Sequence, residues 1–488
     1  MYRRLVKMAL LASAASLAVP AHADTLREAL AATYVTNPTL QSARANQRAT
    51  DETVAVEKAA GRPNASASGQ YVEFIKQSST SFTAPERSIG AGLDLGVPIY
   101  SGGAVKNAIR SAETRVKAGQ ADLRGTESAI FTQVVAAYMD VLRNQAIVGL
   151  SGNQVDVLSV NLQATSDRFE IGDLTRTDIA QSQSRLAVAQ SDLQTAQSNL
   201  ISARENYIQL VGQMPVDLQP PPPLPGLPES ADAALYTALE NNPDLIAARE
   251  RAEASAYDIS VAGAGRLPRV SLFAGSDYSN FLGTLGGNIS GNLPQTSTSA
   301  QAGVQVSVPL FQGGRPAALQ RQAQARSAAA LEQVIAAERE VIAQVRAAYA
   351  SWQAANAIIV SSQAGVSAAE LSLEGVRAEN SVGNRTILDI LNAEQELLQS
   401  RVLLVTARRN AYVAGFSLLA AMGRAEARDL GLADEGLLYD PQVNADRVSG
   451  KWFDWSRDPD PAAQSTRTVD IPAPDAEIPA QGDSQSGT

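Results

Sequence analysis

The stretch SIGAGLDLGVPIYSGG at 88–103 decides the fold, because a second version, SAQAGVQVSVPLFQGG, occupies 299–314, 211 positions later. In the first version Ile89, Ala91, Leu93, Leu95, Val97 and Ile99 alternate with Ser88, Gly90, Gly92, Asp94 and Gly96. In the second, Ala302, Val304, Val306, Val308 and Leu310 alternate with Gln301, Gly303, Gln305 and Ser307. Period-two patterning over about ten residues is what a membrane β-strand needs, apolar toward lipid and small or polar toward a lumen. Taken alone, the pattern fits the half-buried strand of a soluble sandwich better. Gly102-Gly103 and Gly313-Gly314 close the strand region. Segments 63–76 and 268–283 read as weaker strands, giving about four in the chain.

Outward from this pair, the duplication continues. Tyr138, Gly172, Asp178 and Gly212 recur as Tyr349, Gly383, Asp389 and Gly423, again 211 positions on. Asn37-Pro38 and Pro63 recur as Asn242-Pro243 and Pro268 at an offset of 205, so a six-residue loop difference falls between Pro63 and Pro98. A period this long is one supersecondary unit copied whole, not a solenoid repeat, and it imposes twofold pseudo-symmetry.

Long heptad runs follow each glycine pair. Val134, Val141, Val148, Val155, Leu162 and Phe169 repeat every seven residues, as do Val345, Trp352, Ile359, Val366 and Leu373. Beyond a loop glycine, Ile179, Leu186, Leu193, Leu200 and Tyr207 continue the period, matched by Ile390, Leu397, Leu404, Ala411 and Leu418. Unbroken heptads predict antiparallel coiled-coil hairpins that turn at Gly172 and Gly383. Asn-Pro places an N-cap before a proline at the first helical position, predicting a further helix from 38 to about 61 and from 243 to about 265. Positions 104–171 give a helix of roughly 100 Å, the return over 173–212 about 60 Å and the 38–62 helix about 38 Å. Each copy is therefore expected to be one long helix flanked by two stacked shorter ones.

The first 23 residues combine Arg3, Arg4 and Lys7, an apolar run from Met8 to Val19 and Ala21-His22-Ala23, which reads as a secretory signal peptide. The expected organisation is this signal at 1–23, a first repeat at 24–214, a stiff Pro-rich linker at 215–230, a second repeat at 231–432 and a tail at 433–488. Residues 456–488, polar and Pro-rich, are expected to lack fixed structure. Trp452, Phe453 and Trp455 either anchor the start of that tail against the body or pack locally.

Composition narrows function. There is no cysteine, and His22, within the signal, is the only histidine. The commonest nucleophile, base and zinc ligands are thus missing, which argues against an enzyme, a metal site or a cofactor. A formal charge of −10 argues against nucleic acid. No later stretch has the length of a membrane helix. Four membrane strands cannot close a barrel, and open edges in lipid leave backbone groups unpaired at several kcal/mol each. The strands of several copies must then share one barrel. The fold expected is an α+β membrane protein, a coiled-coil helical barrel joined to a shared transmembrane β-barrel. The alternative is a soluble periplasmic coiled-coil scaffold with a small sandwich.

The duplicated Asn-Pro, the VPIYSGG (97–103) and VPLFQGG (308–314) turns and the tip VGNRTILDILN (382–392) resemble the TolC-type outer-membrane efflux proteins over roughly residues 25–430. Without cysteine, the chain resembles the unlipidated branch. The resemblance implies a homotrimer in the bacterial outer membrane, a twelve-stranded barrel and a periplasmic helical tunnel. It also implies a periplasmic adaptor (membrane fusion) protein and an inner-membrane pump of RND, ABC or MFS type at the tunnel's lower end. The expected function is the passive exit duct of a tripartite efflux or type I secretion system.

By the same resemblance, Arg385 at the second tip is expected to link to Thr177 and Asp178 at the first, shutting the tunnel by polar contacts. Asp389 matches a position whose carboxylates line the entrance and favour cations. A second aspartate of that pattern is Asn392 here, and a tyrosine before the tip is Asn380, so a weaker gate and weaker cation block are expected. Gly172, Leu174 and Gly383 are the expected adaptor contacts, although a tight hairpin has its own need for glycine.

Overall fold

The computed structural model describes residues 25–76, 85–286, 293–432, 436 and 438–477; the expected signal peptide and residues 478–488 lie outside them. Helices α1 (Leu26–Thr36) and α2 (Pro38–Ala59) precede strands β1 (Asn64–Glu73) and β2 (Arg87–Tyr100), followed by α3 (Ala104–Glu170) and α4 (Arg176–Val211). The order then repeats as α5 (Ala231–Asn241), α6 (Pro243–Gly263), β3 (Arg269–Asn280), β4 (Thr296–Ser307), α7 (Arg315–Ser381) and α8 (Ile387–Ala421). A ninth helix, α9 (Pro441–Ser449), lies in the tail.

Helices α3 and α7 have 67 residues each, roughly 100 Å of rise. Each is flanked by two shorter helices laid end to end, and the Asn-Pro pairs show why. Asn37 Oδ1 accepts from the Thr39 and Leu40 amides at 3.0 and 3.2 Å, while its Nδ2 donates to the Leu210 carbonyl at 2.9 Å. Asn242 does the same with the Asp244 and Leu245 amides at 3.0 and 3.2 Å and the Ala421 carbonyl at 3.0 Å. One buried amide thus satisfies orphan donors at the start of one helix and an orphan acceptor at the end of another. That welds α4 to α2 and α8 to α6. Asn37→Ala is expected to cost about 1–2 kcal/mol of stability through the lost cap and the stranded carbonyl. A thermal melt of the variant checks this, and an unchanged midpoint would show that the junction is not held by the amide.

Helices α1 and α5 were not read from the sequence, although their caps were there to see. Thr25 and Glu28 form a reciprocal capping box and Ser230 accepts from the Ala233 amide. The main core lies midway along the long helices, where Phe131, Val134, Val135 and Tyr138 of α3 meet Tyr34, Leu200, Tyr207 and Phe416. The duplicated tyrosines fix the linker between the copies: Tyr138 and Tyr349 donate to the carbonyls of Gln219 and Glu229 at 2.7 and 3.0 Å.

The four strands form one antiparallel sheet in the order β1-β2-β3-β4, so the copies meet at its centre. Register aligns Ala65, Leu95, Ala274 and Ala302 on one face, with Leu272 and Val304 beside Val97. The opposite face carries Asn64, Asp94, Asp277 and Gln301, set among glycines. The glycines make room: a Cβ on Gly96 would lie 2.5 Å from Asn64 Oδ1, and one on Gly303 would lie 3.0 Å from the Phe273 ring. The alternation read from 301–310 holds as far as Ser307, where β4 stops, whereas β2 runs on through Pro98 to Tyr100. The β3–β4 ladder ends there because Ser307 pairs with Arg269, the first residue of β3, whereas β2 reaches Tyr100 opposite Val270 through a register irregularity between Pro98 and Tyr100.

Parts of the described tail meet the body. Helix α9 packs on α2, where Asn444 Nδ2 donates to the buried Asp51 carboxylate at 2.7 Å. Further on, Thr466 sits beside Gly212, and the buried Arg204 donates to the Asp475 carboxylate and carbonyl at 2.9 and 2.6 Å and to the Glu477 carbonyl at 2.8 Å.

Candidate gate at the helical hairpin tips

Both hairpins end in the same local structure. Gly172 adopts φ 83° and Gly383 φ 82°. The Gly172 amide donates to Phe169 O and the Asp173 amide to Arg168 O, both at 2.9 Å; Gly383 and Asn384 repeat this with Asn380 O and Glu379 O at 3.0 Å. These are Schellman turns, for which a left-handed residue is required. The return helices start with capping boxes. Thr175 and Thr386 cap α4 and α8, and Asp178 Oδ2 and Asp389 Oδ2 accept back from their amides and hydroxyls at 2.7–2.9 Å. Both expected gate carboxylates therefore have a folding role first. The bonds from the Thr175 amide and then its hydroxyl hold the Asp178 carboxyl below the usual range; for Asp389 the Thr386 hydroxyl leads and its amide follows. Both stay charged in mild acid.

Arg385 has a partner within its own tip. Its Nε donates to Glu379 Oε2 of the same tip at 2.7 Å, so within the protomer its partner is neither Thr177 nor Asp178. The Glu379 bond and charge, with Asp389 nearby, push the Arg385 guanidinium further up. The reason is proximity: Glu379 is six residues away across one tight turn, whereas Thr177 and Asp178 belong to the other hairpin. Thr177 is exposed on the first turn of α4. Asn380 has a structural part, its Nδ2 donating to the Arg385 carbonyl at 2.7 Å to close the turn.

Asn392 carries a contact that the sequence did not reveal. Arg185 Nη2 on α4 donates to Asn392 Oδ1 on α8 at 2.8 Å, tying the first hairpin to the second. No motif marks Arg185, whose partner lies 207 residues away. Two residues further along α8, the buried Glu394 pairs with Arg377 of α7 inside the second hairpin. An apolar seam supports the Arg185 link, with Leu391 of α8 packed among Leu158, Ala189, Val155 and Leu186 of the first hairpin. At the extreme ends, Leu174 is half-buried, while Ile171 and Val382 are 81% and 70% exposed. These two occupy equivalent positions just before the turn glycines, and they extend the apolar tip surface beyond the residues singled out from sequence.

A duplicated chain that joins an open membrane-type sheet to long helical struts with polar tips has the build of an outer-membrane exit duct. It belongs to the outer membrane efflux protein family, whose model matches residues 29–213 and 234–424. The chain is 32% identical over 430 residues to the outer membrane efflux protein BepC of Brucella suis biovar 1, covering 88% of this chain and 91% of that protein. It is 26% identical over 441 residues to the outer membrane protein TolC of Vibrio cholerae serotype O1, covering 89% and 99%. In fold it is similar to the outer membrane protein VceC from Vibrio cholerae, with a TM-score of 0.70, 23% identity and coverage of 82% and 96%. The protein is thus an outer-membrane channel of the efflux and secretion class, with a large periplasmic helical portion. The soluble-scaffold alternative falls with this assignment.

Proposed function

We propose that the chain works as a homotrimer in which twelve strands close one barrel and the helices line a continuous tunnel, shut at the hairpin tips. The observation that carries this reading is the open four-stranded sheet, with β1 and β4 unpaired on their outer sides among the described residues. In lipid those edges need partners, and β4 of one copy against β1 of the next supplies them. Cargo passes without chemistry by this chain: an inner-membrane pump supplies the energy, and a periplasmic adaptor docks on the tips around Gly172, Leu174 and Gly383, with Ile171 and Val382 as apolar contacts. Arg385, Thr177, Asp178, Asp389, Asn392 and Asn380 remain the gate region, with Arg185 added as the link between hairpins. Arg385 is free to exchange Glu379 for the neighbouring protomer's Thr177 or Asp178 when tips meet.

The detergent-extracted protein is expected to have three times the mass of the chain in native mass spectrometry and to give a small, cation-selective conductance in a planar bilayer. A monomer without channel activity from folded protein would overturn the proposal.

A further inference from the structure

The tail holds an aromatic cluster that the duct does not use. Trp452 packs under Arg62, whose guanidinium lies 4.6 Å from the ring centroid. Phe453 and Trp455, by contrast, are 79% and 96% exposed. The loop presenting them is clasped at its base. Arg447 donates through both Nη atoms to the two oxygens of Asp458 at 2.9 Å, Lys451 Nζ adds a bond at 2.8 Å, and the Ser456 amide donates to Phe453 O at 3.1 Å. The Arg447 bonds, then that of Lys451, hold the Asp458 carboxyl well below the carboxylate range, so the clasp persists in mild acid.

The loop has a defined height on the molecule. Arg62 Nη1 donates to the Lys451 carbonyl at 2.6 Å, two residues before β1 begins at Asn64. Beside it, a Cβ on Gly61 would lie 3.0 Å from Val105 Cγ1, in the first turn of α3. The loop therefore sits where sheet gives way to helix, level with Tyr100 at the end of β2. Phe311, 89% exposed, is the equivalent of Tyr100 in the second copy. Tryptophan, apolar in body with one N–H donor, favours the boundary between headgroups and acyl chains, where barrels carry aromatic girdles.

We propose that Phe453 and Trp455 insert at the phospholipid headgroup–acyl boundary of the leaflet facing the periplasm, extending the barrel's lower aromatic girdle onto the tail. Three arguments favour lipid over a second copy of the chain. The loop continues the level of the rim residues Tyr100 and Phe311. Its cations Arg62, Arg447, Lys451 and Arg457 are nearly balanced by Asp454, Asp458 and Asp460, as suits a zwitterionic surface. Two side chains also offer far less than the roughly 1,000 Å² that a stable protein interface buries.

This inference rests on the membrane-channel reading, so the test separates the two. Wild type and Trp455→Phe are reconstituted in phosphatidylcholine vesicles with and without brominated acyl chains. Vesicle flotation and conductance report the barrel. Tryptophan emission reports the loop, because none of the three tryptophans (Trp352, Trp452, Trp455) lies in a strand. Bromolipid is expected to quench a component of wild-type emission that is absent in Trp455→Phe. Floating, conducting protein whose Trp455 component stays open to aqueous acrylamide would overturn the proposal. So would a blue-shifted Trp455 component that bromolipid leaves untouched, since that means cover by protein.

Discussion

Arg185→Ala combined with Arg385→Ser is expected to raise the open fraction of the bilayer-inserted channel by roughly a hundredfold. The first change cuts the bond from α4 to Asn392 on α8, the described polar link between hairpins at the tip. The second removes the cation that Glu379 holds in place. Exposed polar links of this kind are individually weak, about 1 kcal/mol or less. If three protomers open together, about 1 kcal/mol from each sums to about 3 kcal/mol, which is roughly a hundredfold in the open-to-closed ratio. Each single variant should fall between wild type and the double. Arg401→Ala, which removes an exposed pair with Glu370 along the second hairpin, serves as the control and should leave conductance unchanged. If the double variant forms intact trimers and conducts like wild type, the tunnel is shut by other means. The seam of Leu391 against Leu158 and Ala189 would then be the next place to look.

Glu127→Gln is expected to stabilise the protein at neutral pH and to flatten the dependence of its stability on pH. Glu127 on α3 accepts from the Ala427 amide at 2.5 Å. Beside it the buried Glu426 holds Arg124 and Arg428 at 2.8 Å each. Arg44 lies over the rings of Tyr34 and Tyr439 at 4.2 and 5.1 Å, and its Nη2 is buried without a hydrogen-bond partner. Burial pushes the Glu127 carboxyl from its ordinary 4.5 up to about 7; Glu426 adds to the rise, while the Ala427 amide, Arg44 and Arg428 oppose it.

With the folded pKa above the unfolded one, the folded state holds a proton that the unfolded state has lost between pH 4.5 and 7. The stability from Glu127 is therefore fully present below about pH 4.5 and lost as pH rises through 7. A shift from 4.5 to 7 corresponds to an upper limit of about 3 kcal/mol. Glutamine keeps an acceptor for the Ala427 amide and carries no charge. Denaturation midpoints from pH 5 to 8 should fall for wild type and stay nearly level for the variant. Parallel curves would show that Glu127 does not titrate in that range.

Much of this protein was legible without coordinates because its information is periodic. A seven-residue repeat specifies the helical seam wherever it occurs, and alternation specifies a two-faced strand. Glycine at a left-handed turn, and Asn before Pro, act through their own backbone. Duplication doubled each signal, so that Gly172 and Gly383, or Asn37 and Asn242, vouched for one another. The cap residues of α1 and α5 were equally local, but the segments are short and carry little periodicity.

What the sequence determined by itself was the class of architecture: two copies, long hairpins with their turning points, and strands that a single chain cannot close. The tertiary structure decided the pairings. It set Asn37 on the end of α4, joined Arg185 to Asn392, brought Asp475 and Glu477 to Arg204 and left Phe453 and Trp455 uncovered where sheet gives way to helix. The physical reason is range. Backbone preference and hydrophobic period act over a few residues and repeat, so they can be read along the chain. A single hydrogen bond or ion pair between residues hundreds of positions apart leaves no period, and only the folded path brings its two ends together.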